Sequence, residues 1–165
     1  MISPKAIQLI IKHFDSIDEA VARRLIRQRP WGEPALTSLL CDLLDSKTQE
    51  EEKLRYSLME LNRDLMEMDG LLSISFTIDT HEYDSNMERW VTQADLGLII
   101  KFEDEIIPSD SWTTSWLLQA KRLYPWKKNP IEYSEVSRFS AKDNYQHDRM
   151  KKIEEIIGLP FIRYM

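Results

Sequence analysis

Apolar residues recur at two different spacings along this chain, and the change of spacing divides it. Ile7, Ile10, Ile11 and Phe14 stand three and four residues apart, which predicts a helix with one apolar face. Ala20, Leu25 and Ile26 continue that face, so the helix is expected from Pro4 to about Gln28. A break is expected near Asp15-Ser16, because Ser16 and Glu19 have the spacing of a capping box. Arg29-Pro30-Trp31-Gly32 interrupts the pattern. A second helix starts at Glu33-Pro34, where proline suits the first turn, and carries Leu36, Leu39, Leu40, Leu43 and Leu44. A third is expected from about Thr48 to Glu67, with Leu54, Leu58, Leu61, Leu65 and Met68 as its stripe. Its acidic start, Glu50-Glu51-Glu52, suits a helix N-terminus and reads as a solvated face.

After Asp69-Gly70 the period falls to two. Ile74, Phe76 and Ile78 alternate with Ser75, Thr77 and Asp79, which predicts a strand with one buried face. A polar loop containing Glu88 and Trp90 follows. Two short apolar runs come next, Ala94–Ile100 and Trp116–Arg122, separated by turns at Glu103-Asp104-Glu105 and Pro108-Ser109-Asp110-Ser111. Both read as buried strands, with Trp112 and Trp116 as core or rim packing. From Leu123 to Ile131 a proline-rich loop mixes bases with aromatics. A helix from about Asp143 to Ile157 shows Tyr145, Met150, Ile153, Ile156 and Ile157 on one face. It puts Gln146, Arg149 and Lys152 on another. Gly158 ends it, and the chain finishes in a strand over Pro160–Tyr164. The expected fold class is α/β: a mixed central sheet flanked by helices.

A length of 165 residues suits one globular domain. Residues 1–30 form an N-terminal helical segment packed on a core domain of residues 31–165. The hydrophobic share of 42% and charged share of 30% are those of a water-soluble protein. No apolar run approaches the roughly 18 residues of a membrane span, and Met1-Ile2-Ser3-Pro4-Lys5 does not open a secretory signal. A cytoplasmic protein is therefore expected, without membrane partners. The single cysteine, Cys41, excludes an internal disulfide and a cysteine-type zinc site. His13, His81 and His147 lie on separate elements with no ligand spacing, so surface or packing roles are the default.

The net charge of −6 is unfavourable for a free-standing nucleic-acid binder. It is unevenly spread. Residues 121–165 hold 10 Lys+Arg and 6 Asp+Glu, a balance of +4, which leaves −10 for the rest. Such asymmetry marks a phosphate-facing surface or is incidental. The candidate chemistry begins where the basic part begins. Asp95 sits at the mouth of one strand, and Gln119 and Lys121 share a face of the other. If the strands pair, an acid, an amide and an ammonium converge, a group able to hold a divalent cation and neutralise a phosphate. Alternatively Lys121 pairs with Asp95 as a structural ion pair. Glu33 is open to two accounts as well: an acid favoured by the helix dipole, or a metal ligand brought to the strand mouths by its helix.

The helix carrying Glu33, the Asp95 strand, the Gln119-Ala120-Lys121 strand and the Gln146 helix together resemble the PD-(D/E)XK nuclease superfamily. More narrowly, Trp31-Gly32-Glu33, the Glu88 to Ala94-Asp95 spacing and Gln119-Ala120-Lys121-Arg122-Leu123-Tyr124 look like a family of bacterial proteins with a QAKRL signature. The resemblance spans about Trp31 to Tyr164. It implies a restriction-endonuclease-like α-β-β-β-α-β core and metal-dependent phosphodiester hydrolysis, in bacterial defence or genetic conflict. One departure stands out: Gln119 replaces the usual second acid, as in Mrr-like restriction enzymes.

Carried over to this chain, the resemblance makes Asp95, Gln119 and Lys121 catalytic. Mg²⁺ or Mn²⁺ would be held by Asp95, the Gln119 oxygen, the Ala120 carbonyl and either Glu33 or Glu88. Gln146, Arg149, Lys127, Lys128 and Arg122 would contact nucleic acid, DNA sooner than RNA. Two other readings stay open. One is a nuclease-fold subunit that binds without cutting, docking a protein partner through the acidic N-terminal helices or forming a homodimer. The other is an acidic nucleic-acid mimic, which requires that Asp95, Gln119 and Lys121 do not converge.

Overall fold

A computed structural model describes residues 3–27, 31–49, 54–68, 74–92, 94–119, 123–124, 126–128, 131–132, 138–139, 145–158 and 162–164. In chain order the elements are α1 (Pro4–Leu25), α2 (Glu33–Leu44), α3 (Leu58–Met68), β1 (Ile74–Glu82), α4 (Ser85–Met87), β2 (Leu96–Asp104), β3 (Trp112–Gln119), β4 (Leu123–Tyr124), β5 (Lys127–Lys128), β6 (Ile131–Glu132), β7 (Arg138–Phe139), α5 (Tyr145–Ile157) and β8 (Ile162–Tyr164). A π-helical turn, Glu88–Thr92, leads from α4 towards β2.

Helix α1 is unbroken, against expectation. Ser3 caps it, its hydroxyl accepting from the Ala6 amide at 3.1 Å, and Pro4 occupies the first turn. Ser16 is buried mid-helix and caps nothing there. Its Oγ accepts from the Arg55 and Tyr56 amides at 2.9 and 3.0 Å, tying a distant segment to the helix. The inward stripe is Ala6, His13, Ser16, Ile17 and Ala20. Ile7 and Ile11 are 45% and 52% exposed. The helix is apolar on more than one side, and the core takes the side whose small residues allow close approach.

Helix α3 starts at Leu58, not near Thr48. The start is fixed by a capping box: Ser57 N donates to Glu60 Oε2 at 2.7 Å, and Glu60 N donates to Ser57 Oγ at 3.2 Å. Gln49, expected in the first turn of that helix, instead clamps two helix ends. Its amide donates to Leu43 O, and its oxygen accepts from Leu58 N at 2.6 Å. The glutamate run 50–52 lies outside the described residues.

The sheet order is β1-β2-β3-β8. The first three strands form an antiparallel meander and β8 runs parallel to β3. The architecture is therefore mixed α/β, as the change of period predicts. Ile74, Phe76 and Ile78 face the core, joined by Leu96, Leu98, Phe102 and Leu118 and covered by α1, α2 and α3. Each large side chain fully buried here, such as Phe76 or Leu61, contributes about 1.5–3 kcal/mol. Trp112 and Trp116 pack against this core, with Trp112 stacked on Phe102 at 5.9 Å.

Strand β1 is an edge, and its outward backbone groups are satisfied by side chains. Asn62 binds both the N–H and C=O of Phe76, at 2.7 and 3.0 Å. Ser46 Oγ sits 2.7 and 2.8 Å from the N–H and C=O of Ile78. The Asp45 carboxylate accepts from Thr80 N at 2.8 Å. An edge closed in this way offers no template to another strand.

On the opposite face α5 buries Met150 against Ala94 and Leu117. Its apolar stripe is narrower than expected, since Ile156 is 84% exposed. Gly158, at φ 76°, ends the helix in the left-handed region. Where a loop was expected from Leu123 to Ile131, two short ladders form, β4 with β7 and β5 with β6. No helix among the described residues is long and apolar enough to cross a membrane.

Candidate active site

The antiparallel register pairs Leu96 with Leu118, and one step further sets Asp95 opposite Gln119. Backbone bonds on both sides hold Asp95 there: its N–H donates to Leu118 O at 3.0 Å, and its C=O accepts from Tyr83 N at 2.9 Å. Directly opposed residues point to the same face. Gln119 Nε2 accordingly donates to Asp95 Oδ2 at 2.5 Å. Gln119 is only 1% exposed, and Asp95 is half-buried. A buried amide is costly unless hydrogen-bonded, and here its partner is a carboxylate at the strand mouth.

Tyr83 completes the described neighbourhood and was not singled out in the sequence. Its hydroxyl lies 2.7 Å from where a Cβ on Gly97 would sit, so the glycine lets the ring lie across β2 beside Asp95. His81 meets that ring edge-on at 5.0 Å. Burial pushes the Tyr83 phenol above its ordinary pKa, keeping it protonated at neutral pH. No sequence signal marks it, because its position depends on how far β1 extends before the chain turns.

The remaining candidates divide. Ala120, Lys121 and Arg122 lie outside the described residues. Glu33 opens α2, whose N-terminal end points to this end of the sheet. Three contacts show the direction: Ser38 lies against Glu82, Cys41 against Thr80 and Ser46 against Ile78. But α2 covers the face from which Asp95 turns away. Glu88 starts the π-helical turn, half-buried. Among the described residues no three Asp, Glu, His or Cys side chains form a metal-holding group.

Arg149 reaches from α5 to the turn, its Nη1 donating to Arg89 O at 3.3 Å. Gln146 stands one helical turn before Met150 on α5. Lys127 Nζ lies 3.4 Å from Glu132 Oε1 across β5 and β6, so part of its charge is matched within the hairpin. Lys128 is the next residue of β5. Cys41 is buried, and desolvation first, then the charge of Glu82, pushes its thiol up to about 12. It is no nucleophile.

No family model, no curated protein and no solved structure matches the chain. The geometry must carry the chemistry. Mg²⁺ takes one or two protein carboxylates and keeps several waters. Asp95 with the Gln119 oxygen and a neighbouring backbone carbonyl is a donor set of that kind. It requires Oε1, not Nε2, beside Asp95. A half-turn of the amide exchanges the two atoms and gives up the hydrogen bond from Nε2 to Asp95.

Proposed function

We propose that this protein is a metal-dependent nuclease with a restriction-endonuclease-like core, hydrolysing phosphodiester bonds of nucleic acid. The single observation that carries the reading is the Asp95–Gln119 contact at the mouth of β2 and β3. The order α2, β1, β2, β3, α5, β8, with β8 parallel to β3, supports it at the level of architecture. In this reading Asp95 is the anionic ligand and Gln119 its neutral neighbour. Mg²⁺ or Mn²⁺, when bound, would supply Lewis-acid polarisation of the phosphoryl group and a water of lowered pKa. The buried amide of Gln119 holds the Asp95 carboxylate in place, and the Tyr83 backbone N–H holds the Asp95 carbonyl. Lys121, two residues beyond Gln119, carries the cation that would offset charge developing on the phosphate.

The test is cleavage of plasmid, single-stranded DNA and RNA with Mg²⁺ or Mn²⁺. Wild type is expected to cut at least one substrate, and EDTA, Asp95→Ala or Lys121→Ala to abolish cutting. Cleavage that survives Asp95→Ala at the wild-type rate would sink the proposal.

A second reading, a nuclease-fold subunit that binds without cutting, is favoured by one observation. Gln119 meets Asp95 through Nε2, the amide atom that does not ligate a cation. No cleavage with either metal, alongside retained nucleic-acid binding, would select it.

A further inference from the structure

Three large apolar side chains are exposed between residues 87 and 91, four to eight residues before Asp95: Met87, Trp90 and Val91. Trp90 is 67% exposed. Placing such groups in water is unfavourable, and clustered exposure marks a contact surface. The segment that carries them is tied down. Asp84 turns its carboxylate back onto the amides of Asn86 and Met87, at 2.8 and 2.9 Å. The Thr92 hydroxyl sits 3.1 Å from Ala94 O and accepts from Ala94 N at 3.3 Å. Arg149 holds the turn from α5 through Arg89 O. A single π-helical turn in a chain often marks a functional site.

The exposed ring and the arginines beside it point to the occupant. The Arg89 guanidinium carbon lies 5.1 Å from the Trp90 ring centroid, and Arg149 adds a second cation at the same turn. With the Arg89 guanidinium over one face, the exposed Trp90 ring has its other face for a nucleobase, and the cations at the turn suit its phosphate. Trp90 is also close to the candidate active site, since five residues span at most about 17 Å. Bases inside a duplex are stacked on one another and offer no free face. We propose that the Trp90 turn is a stacking platform for a base of single-stranded nucleic acid, delivering that strand to Asp95. The proposal deepens the nuclease reading by naming its substrate class.

The experiment is fluorescence anisotropy of the full chain with a fluorescein-labelled oligothymidylate of about 20 nucleotides, longer than common single-strand site sizes. The same oligonucleotide paired with its complement is the duplex arm, and EDTA keeps cleavage out of both. Trp90→Ala is expected to weaken single-strand binding about 5- to 150-fold and duplex binding less than about twofold. Trp90→Phe keeps an aromatic face and is expected to bind within about threefold of wild type. Trp90→Leu keeps apolar bulk and is expected to behave like alanine.

Wild-type affinity in Trp90→Ala or Trp90→Leu overturns the platform, as does an equal loss on duplex or an absence of oligonucleotide binding by wild type. In each case the cleavage assay with Asp95→Ala still decides the nuclease reading independently. Weakened binding by Trp90→Ala in a protein that does not cut leaves the platform standing and removes the nuclease.

Discussion

Two buried polar side chains show how differently a residue can be used. Gln119 was legible in the sequence because alternation along a strand puts it on one face with Lys121, and its partner Asp95 follows once the strands pair. His13 was not, because its helical spacing is that of any core residue. It is fully buried, with Nδ1 3.0 Å from Tyr56 O and Nε2 without a partner among the described residues. A carbonyl only accepts, so Nδ1 carries the proton and the ring is the neutral Nδ1–H tautomer. Burial lowers the His13 pKa, outweighing the opposing hydrogen bond to Tyr56. The folded state therefore disfavours the protonated ring. Its contribution to stability is full above the unfolded pKa of about 6.5 and is lost as pH falls from there through the depressed folded value. Urea midpoints should drop between pH about 7.5 and about 5.5 in wild type. The drop should be smaller in His13→Gln, which cannot titrate; equal drops would show that His13 is not the sensor.

At the scale of elements, the edge of β1 makes the sharpest claim. Asn62 acts as a surrogate strand for Phe76, giving one donor and one acceptor. Asn62→Ala leaves both backbone groups to find water at a partly buried edge, a loss of about 1–3 kcal/mol. Equilibrium urea unfolding measures it, and hydrogen exchange at the Phe76 amide should accelerate. A change under about 0.5 kcal/mol would mean that water replaces the side chain freely. The same region shows why boundaries were harder to read than elements. Ser16-x-x-Glu19 and Ser57-x-x-Glu60 have one spacing, but only the second opens a helix. The first lies inside a helix because its serine is claimed by amides 39 and 40 residues away. No local pattern carries that information. The strands were more legible, because Ile74, Phe76 and Ile78 can alternate to only one buried face.

For the whole molecule, the mixed sheet followed from the order of periods, but the side on which each helix packs did not. That gap bears on Glu33, which stands at the right end of the sheet on a helix that covers the face opposite Asp95. Charge is distributed on the same large scale: an acidic body of −10 over residues 1–120 and a balance of +4 beyond. Such a molecule gains little from long-range attraction to nucleic acid. Contact must be local, at groups such as Arg89 and Arg149 beside Trp90. Each phosphate contact on a single strand adds about 0.7 to the slope of log K against log salt. Two to four contacts then predict that raising KCl from about 50 to about 200 mM weakens oligothymidylate binding about 7- to 50-fold. Anisotropy titrations across that range measure the slope. A fall of about a thousandfold or more would require about seven or more contacts. That many would move the main interface from the Trp90 turn to the basic residues of 121–165.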